Sequence, residues 1–444
     1  MKQHLMKGVF LLLDKINNIV WGNWLLISML SCGIFLTFKI KFIQFNLKDI
    51  LKNTILSKNM SVCGENTISP FQTMTTSLSA TMGTGNIIGV ASAIMIGGSG
   101  AIFWLWISAI LGMALIYVEN YLGILYRKKS KGLTIGGACG YLEYGLKCKP
   151  LAMIFSLLCI VASFGIGNMT QSNAISTSLK STWNVPLYIT GLVVAILIAL
   201  VIMGGVKRIG SITQLFIPVL SMLYIVGSLI VIVSHIQELP NVLKDIFLKA
   251  FGINQVTGGI TGSTIILSMN VGLRRGVFSN EAGLGSSSIL HSSSECNNPH
   301  IMGLWGMFEV FLDTIVCCTL TALAILMTNL DFSNLDCSTL VIKSFESGLG
   351  EISGIFITVA ISLFAFATLI GWSVCGENCS KYLFGEVGGI IYKIFFVICI
   401  LLGAILNGGS VWIISDIFNG LMAIPNLIGI MLLSKNVKVQ HPKI

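Results

Sequence analysis

Charged residues are scarce in this sequence of 444 residues. Asp, Glu, Lys and Arg make up 10% of the chain, apolar residues make up 54%, and the mean hydropathy is +0.87. A soluble globular domain carries roughly 25% charged residues, so the composition excludes a protein whose whole surface faces water. The apolar runs are long and continuous rather than short and alternating, which predicts an all-α polytopic membrane protein and not a barrel of strands.

Several patterns typical of other function classes are also missing. The 12 cysteines are scattered, several of them inside apolar runs, and we interpret them as small apolar residues rather than disulfides or metal ligands. No phosphate-binding loop or zinc-protease motif occurs, no repeated filter element suggests a channel, and no basic–aromatic pattern suggests nucleic acid as a partner. The histidines lack metal-binding spacing: His4, His235, His291, His300 and His441. These absences favour a transporter over an enzyme or a channel.

Eleven apolar segments are long enough to cross a membrane as helices of about 20 residues. They lie near 21–40, 71–96, 100–126, 151–178, 186–203, 211–234, 259–290, 302–328, 352–374, 388–406 and 410–433. No stretch between them is longer than a loop, so we predict one transmembrane domain over 1–444. The first 15 residues predict an interfacial amphipathic helix rather than a cleaved signal, because Asp14 and Lys15 end their Leu-rich patch.

The distribution of positive charge predicts how these spans are oriented. With eleven spans, one side of the membrane carries 18 of the 27 Lys and Arg residues and the other carries 9. Cytoplasmic loops hold the excess of positive residues. We therefore expect a protein of the prokaryotic inner membrane with its N-terminus outside and its C-terminus in the cytoplasm.

The second and seventh spans resemble each other where both are rich in glycine. Three positions match when the two are aligned: Asn86 with Asn280, Gly89 with Gly283, and Ser92 with Ser286. Because the copies are five spans apart, they cross the membrane in opposite directions. This predicts a five-plus-five inverted repeat, with a first repeat over 71–234, a second over 259–433, and one extra helix over 21–40.

The glycines of the second span predict that its helix unwinds near Gly83, Gly85 and Gly89, since glycine disfavours a helix by about 1 kcal/mol relative to alanine. Paired interrupted helices are typical of transporter binding sites. Helix N-termini attract a carboxylate, and freed carbonyls attract an ammonium group or Na+, so an amino-acid zwitterion fits such a site. The alternative is that these glycines only permit close helix packing.

The segment at 71–91 reads FQTMTTSLSATMGTGNIIGVA, which resembles the signature of the alanine or glycine:cation symporter family. The resemblance continues in order through 100–106, Glu119, 165–173, the RGVFSNEAGLGS run at 275–286, 313–317 and 363–372. It implies a LeuT-type fold and import of alanine, glycine or a similar small neutral amino acid by alternating access, coupled to Na+. A proton-coupled or glutamine-preferring member of the family is the alternative.

The resemblance also implies which residues bind the ligands. Thr84, Gly85 and Asn86 would contact the carboxylate, and Phe278 and Trp372 would bound the side-chain pocket. The remaining implied substrate contacts are Asn168, Gln171, Ser279 and Gly283. A sodium site between the second and ninth spans would use Thr368, Gly83 and Ala365. Membrane lipid would surround the protein, which we expect to be a monomer.

Ionisable residues inside spans are candidates for function, although a structural partner explains them equally well. They are Glu281, Glu309, Asp313 and Asp416. Arg274 and Arg275 precede the seventh-span motif and could form an outer gate, lie on the surface, or pair with Glu281. Asn168 and Gln171 share a helix face at i and i+3, where they could bind substrate or hydrogen-bond neighbouring helices.

Overall fold

The computed structural model describes residues 12–57, 68–130, 133–252, 261–330, 335–406 and 408–439. Most of these residues are helical. The helices of the first half are α1 (Asn23–Lys39), α2 (Leu47–Asn53), α3 (Pro70–Thr81), α4 (Ile88–Gly97), α5 (Gly100–Leu125), α6 (Gly137–Gly140), α7 (Lys149–Phe164), α8 (Thr170–Trp183), α9 (Leu187–Ile202) and α10 (Gly205–Ser234). Those of the second half are α11 (Leu239–Ala250), α12 (Thr261–Asn280), α13 (Ser286–His291), α14 (Pro299–Val310), α15 (Thr319–Leu326), α16 (Cys337–Leu349), α17 (Ser353–Ile405) and α18 (Gly408–Leu433).

Shorter elements connect these helices. Three π-helical segments occur at Tyr141–Gly145, Gly165–Met169 and Phe311–Cys318. Single 3-10 turns lie at Ile43–Phe45, Thr84–Asn86, Ile236–Glu238, Gly350–Ile352 and Ser434–Asn436. Strand β1 (Lys128–Ser130) pairs antiparallel with β2 (Leu133–Ile135) in the loop after α5.

Seven helical stretches of the described chain are long and apolar enough to cross a membrane, and the bent pair α3–α4 makes an eighth. Helix α9 is a shorter apolar helix of 16 residues. Helical structure occurs at each of the eleven predicted spans, but two of them lie in α17 and the one near 259–290 is divided between α12 and α13. Of the predicted interfacial N-terminal helix, residues 1–11 lie outside the described part. Residues 12–20 are helical, and a turn at Trp21 and Gly22 separates them from α1.

Helix α17 contains its two predicted spans in one stretch of 53 residues, with a non-helical residue at Gly385 (φ 71°, ψ −167°). Side chains pair across this residue. The Ser380 hydroxyl donates to the carbonyl of Gly388 over 2.9 Å, and Lys393 contacts Glu377 over 2.9 Å. Residues about equally far from Gly385 on either side are therefore neighbours, which means that the chain folds back there as two antiparallel helices.

The core surrounds α5, which packs against α12 and α14 and is buried along most of its length. Helix α17 packs against α8 and α9 on another side of the molecule. Outer helices expose large apolar side chains instead, among them Leu192 of α9 and Met222 of α10. This arrangement, with buried polar residues inside and apolar residues outside, suits a protein whose solvent is lipid.

Helix α3 shows how local sequence positions the site. Ser69 and Gln72 form a capping box, in which each side chain hydrogen-bonds the other residue's backbone N–H at 3.1 Å, and Pro70 occupies the first turn. Both features fix where a helix begins. The helix then ends after 12 residues, at the glycine-rich segment.

Candidate functional site

The first break lies between α3 and α4. Met82 (ψ 83°) and Gly83 (φ −128°, ψ −151°) leave the helical conformation, a single 3-10 turn follows over Thr84–Asn86, and the two halves are bent by 58°. The side-chain oxygen of Asn86 accepts a hydrogen bond from the backbone N–H of Gly83 at 3.1 Å. The helix is thus interrupted at Gly83 and Gly85 as predicted, whereas Gly89 lies within α4.

The second break lies between α12 and α13. Glu281, Gly283 and Gly285 have φ values of 53°, 89° and 84°, which lie in the left-handed region. Glycine adopts this conformation without a steric penalty, whereas an L-residue such as Glu281 does so at a cost. Three such residues within five positions cannot continue a helix, so the segment aligned with the first break is also interrupted.

The two breaks are close together. A Cβ atom at Gly85 would lie 3.4 Å from the Phe278 ring and 3.7 Å from the Cα of Ser279, which are the last residues of α12 before the break. The Asp313 carboxylate accepts hydrogen bonds from the Asn86 amide at 2.7 Å and from the Ser279 hydroxyl at 2.8 Å. Asp313 therefore joins both breaks to the π-helical segment after α14.

A set of oxygen atoms surrounds Gly83. A Cβ atom at Gly83 would lie 2.5 Å from Oγ1 of Thr368 and 3.5 Å from Oε1 of Gln171, and the Met82 carbonyl lies 3.5 Å from the same Thr368 hydroxyl. Ala365 is fully buried one turn before Thr368. Among the described residues no group of three or more His, Cys, Asp or Glu could hold a metal ion. Hydroxyl, amide and carbonyl oxygens, in contrast, suit Na+ at an interrupted helix.

Four buried side-chain atoms on or near these elements have no hydrogen-bond partner among the described residues. They are Oγ1 of Thr84, Oδ1 of Asn168, Oε1 of Gln171 and Nδ2 of Asn280. A buried polar group without a partner costs about 1–3 kcal/mol, and native structures usually satisfy such groups with water, an ion or a ligand. Their grouping on and near the breaks fits a polar ligand better than helix packing alone.

Asn168 and Gln171 point to different partners. The Asn168 amide donates to the carbonyl of Phe396 at 2.7 Å, whereas the Gln171 amide donates to the carbonyl of Ile166 at 3.0 Å and turns its oxygen toward Gly83. Asn168 belongs to a π-helical turn and Gln171 to α8. A π turn has more residues than an α turn, so the α-helical i, i+3 spacing does not apply here, and the two amides have different partners.

The two predicted aromatic residues have separate positions. Trp372 is fully buried, and its indole donates to the Glu281 carboxylate at 2.8 Å, so it faces the second break. Phe278 contacts the first break through Gly85 and stacks on Trp412 of α18, with ring centroids 5.6 Å apart. Trp412 is a site neighbour that the sequence pattern does not single out.

The ionisable residues have partners that the sequence left open. Arg274 pairs with Asp416 at 2.5 Å, and its guanidinium lies over the Trp21 ring. Glu281 instead accepts hydrogen bonds from Trp372 and from the hydroxyl of Ser286, the latter at 2.6 Å. Arg274 thus ties α12 to α18 just before the second break, and Glu281 stays inside the break.

A transporter family accounts for this arrangement. The family model for the sodium:alanine symporter family matches residues 6–442. The chain belongs to the sodium:alanine symporter family. The family is one of transporters and not of enzymes, and with several spanning helices the chain is a membrane protein.

Members of the sodium:alanine symporter family resemble this chain along nearly its whole length. The sodium/alanine symporter AgcS of Methanococcus maripaludis is 40% identical over 95% of this chain and 94% of its own length. The probable sodium/glutamine symporter GlnT of Bacillus subtilis is 38% identical over 95% of this chain and 87% of its own. The manganese transporter of Eremococcus coleocola, at 13% identity, has a similar fold with a TM-score of 0.55 over 86% of this chain and 90% of that one.

Asn426 is a further site residue of this symporter-family chain that sequence analysis missed. Its amide donates to the carbonyl of Gly283 at 2.8 Å and to the Glu119 carboxylate at 2.6 Å. It therefore connects the second break to α18 and α5. An amide residue directly after Pro425, inside a membrane-spanning helix, is the signal that could have indicated it.

Proposed function

We propose that the protein imports small neutral amino acids, alanine and glycine among them, by alternating access coupled to Na+. The observation that carries this proposal is the meeting of two interrupted helices at Asp313, beside buried polar atoms without partners. Interrupted helices in corresponding positions of two halves are where secondary transporters bind substrate and ion.

The amino acid is bound between the two breaks. Its carboxylate is contacted by Thr84, Gly85 and Asn86. The Thr84 hydroxyl has no partner in the described part of the chain, and the Asn86 side chain is held in place by Asp313. Phe278 and Trp372 limit the size of the substrate side chain. The other contacts come from Asn168, Gln171, Ser279 and Gly283.

The sodium ion is held by Thr368, Gly83 and Ala365, where the first break meets α17. The proximity of the Thr368 hydroxyl to Gly83 and to the Met82 carbonyl supports this assignment. An ion binds at this point only when α17 and the break between α3 and α4 are positioned so that their oxygen atoms face each other. Its binding therefore favours one arrangement of the two, and a ligand that prefers the same arrangement is coupled to it.

We infer a LeuT-type architecture in one domain over 1–444, with eleven spans, an extra first helix and two inverted repeats of five. The fold reversal at Gly385 supports the count, because it separates the ninth span from the tenth. The matching interruptions of α3–α4 and α12–α13 support the repeat. We expect a monomer in the inner membrane, with the N-terminus outside and the C-terminus in the cytoplasm.

Glutamine is the second candidate substrate, since a relative named as a probable sodium/glutamine symporter is nearly as similar as the one named for alanine. The polar atoms without partners on Asn168 and Gln171 would suit an amide side chain. Competition distinguishes the two substrates, because only the preferred amino acid inhibits uptake at low concentration.

Purified protein in proteoliposomes tests the proposal. Labelled alanine should accumulate under an inward sodium gradient and should not when choline replaces sodium. A panel of D- and L-amino acids then defines the substrate, and small neutral ones should compete. Uptake that is equal in sodium and in choline would contradict sodium coupling, and competition by large or charged amino acids alone would contradict the proposed pocket.

A further inference from the structure

His291 and Glu309 form a hydrogen-bonded pair that the proposed substrate and sodium sites do not use. Nε2 of His291 lies 3.1 Å from Oε2 of Glu309, and both side chains are completely buried. His291 is the last residue of α13, the short helix after the second break, and Glu309 lies in α14.

The Glu309 carboxylate is also bonded to both broken helices. The hydroxyl of Ser77 in α3 donates to Oε1 at 2.8 Å, and the hydroxyl of Ser287 in α13 donates to Oε2 at 3.2 Å. Any movement of α3 relative to α13 during transport therefore changes the surroundings of this carboxylate.

The tautomer of His291 follows from these contacts. Because Nε2 faces a carboxylate oxygen, the neutral ring carries its proton on Nε2 and donates it to Glu309. Nδ1 is then a bare acceptor, and it is buried without a hydrogen-bond partner. The ring can accept a proton at Nδ1, which forms an N–H bond there, while the Nε2–H bond breaks and an O–H bond forms at Oε2 of Glu309. The imidazole ends this step neutral, as the other tautomer.

Most groups that face the pair are acidic. They are Glu119 on α5, Glu281 in the second break, Asp313 on the π-helical segment and the Cys375 thiol on α17, whereas α3 contributes only the Ser77 hydroxyl. None of the ion pairs formed within the described chain brings Lys or Arg to these carboxylates. Since burying an ion costs several kcal/mol, the cluster is more stable when a bound cation or a bound proton offsets part of its negative charge.

We propose that the His291–Glu309 pair binds a proton from the cytoplasm and carries it outward in each cycle, in exchange for the sodium ion that enters. This inference rests on the proposed sodium coupling. While Na+ is bound beside Gly83, it supplies positive charge near the carboxylates. When Na+ leaves to the cytoplasm that charge is lost, and a proton on Glu309 replaces it while the empty carrier returns.

The position of His291 indicates the side of the membrane from which this proton comes. Arg127, just after α5, holds the turn that follows His291. Its guanidinium donates to the carbonyl of Ser292 at 2.9 Å and to that of Ser294. Arg127 belongs to the loop richest in Lys and Arg, on the expected cytoplasmic side. His291 therefore lies one residue before a turn that Arg127 holds on the expected cytoplasmic side.

Proteoliposomes that contain a pH-sensitive dye test the inference. With the membrane potential clamped by potassium and valinomycin, an inward sodium gradient and alanine should make the lumen alkaline in proportion to alanine uptake. Sodium-driven uptake at constant lumenal pH, or with acidification, would overturn the proton exchange while leaving the proposed function intact. Absence of sodium-driven uptake would overturn both.

Substitutions then locate the proton site. Glu309→Gln keeps a hydrogen-bond acceptor for Ser77 but cannot bind a proton, so the alkalinisation should be lost. Exchange of alanine for alanine at equal sodium concentrations should persist, because the carrier loaded with substrate and sodium needs no proton. His291→Gln serves as a second variant with the same expectation. Glu143→Gln is the matched control, since this carboxylate accepts a hydrogen bond from Tyr382 at 2.6 Å away from the breaks, and it should keep both activities. Alkalinisation at the normal rate in either Glu309→Gln or His291→Gln, with exchange intact, would remove the pair from the proton path.

Discussion

At the scale of single residues, Gly83 and Gly89 belong to the same broken helix but have different neighbours. A Cβ atom at Gly83 would lie 2.5 Å from the Thr368 hydroxyl, and the Gly83 backbone is extended, so alanine fits the backbone but not the space. We expect Gly83→Ala to displace the hydroxyl and to raise the sodium concentration for half-maximal alanine uptake about tenfold, equivalent to about 1.4 kcal/mol. The measurement is the initial rate of uptake as a function of sodium concentration.

Gly89→Ala is the control for this prediction. A Cβ atom at Gly89 would have no neighbour within 4 Å, and the residue lies in regular helix. The sodium dependence of this variant should match that of the unmodified protein. An equal shift in both variants would show that helix flexibility, rather than the contact with Thr368, sets the sodium requirement.

Residue types were easier to predict from the sequence than their partners. Asp313 and Glu309 stood out because ionisable groups are rare in spans, and the glycines indicated both breaks. The partner of Asp313, however, is Asn86, which lies 227 positions away in the chain. No spacing rule connects residues so far apart, because their contact depends on how whole helices pack. The pairing of Arg274 with Asp416, 142 positions away, is of the same kind.

At the scale of elements, the turn within α17 depends on one glycine. Gly385 has a φ of 71°, and a Cβ atom there would meet nothing within 4 Å, so any cost of substitution comes from the backbone alone. With ψ at −167°, this backbone lies in a region that is essentially restricted to glycine, and another residue occupies it at a cost of roughly 1–3 kcal/mol. We expect Gly385→Ala to lower the free energy of unfolding by that amount, measured by thermal denaturation in detergent.

Gly354→Ala provides the comparison within the same helix. It has an ordinary helical backbone, and its added Cβ atom would lie 4.0 Å from the closest side chain. This variant should be at least as stable as the unmodified protein, since alanine favours a helix over glycine. If Gly385→Ala were equally stable, the two halves of α17 would not need a left-handed residue in order to reverse direction.

Membrane-spanning helices were predictable because long apolar runs identify them, whereas the π-helical segments have no such compositional feature. Each predicted span coincides with helix, because long apolar runs have few other solutions in lipid. The π-helical segments Gly165–Met169 and Phe311–Cys318 were not anticipated, since a π turn adds a residue to the turn without a distinctive composition. The extra residue per turn changes the direction in which side chains leave the helix. It affects Asn168 in the first π-helical segment and Asp313 in the second.

At the scale of the whole molecule, the inverted repeat depends on an even number of spans, here four, between the two broken spans. Helix α9 is the critical element, because its 16 residues give a length of about 24 Å, less than the roughly 30 Å of a bilayer core. A short span is accommodated by local thinning of the bilayer at modest cost. If α9 crosses the membrane, the breaks run in opposite directions; if it does not, they run in the same direction and the repeat is lost.

Reporter insertions at exposed turns decide this question. Asn184 precedes α9, Gly204 lies between α9 and α10, and Gln237 follows α10. We expect a reporter at Asn184 or Gln237 to lie outside, and one at Gly204 to lie in the cytoplasm, because Lys207 and Arg208 follow Gly204 directly. Alkaline phosphatase, active only outside, and green fluorescent protein, fluorescent in the cytoplasm, report the two sides. If the reporters at Asn184 and Gln237 lay on opposite sides, α9 would not cross the membrane. The two broken helices would then run in the same direction and could not belong to two inverted halves around one substrate site.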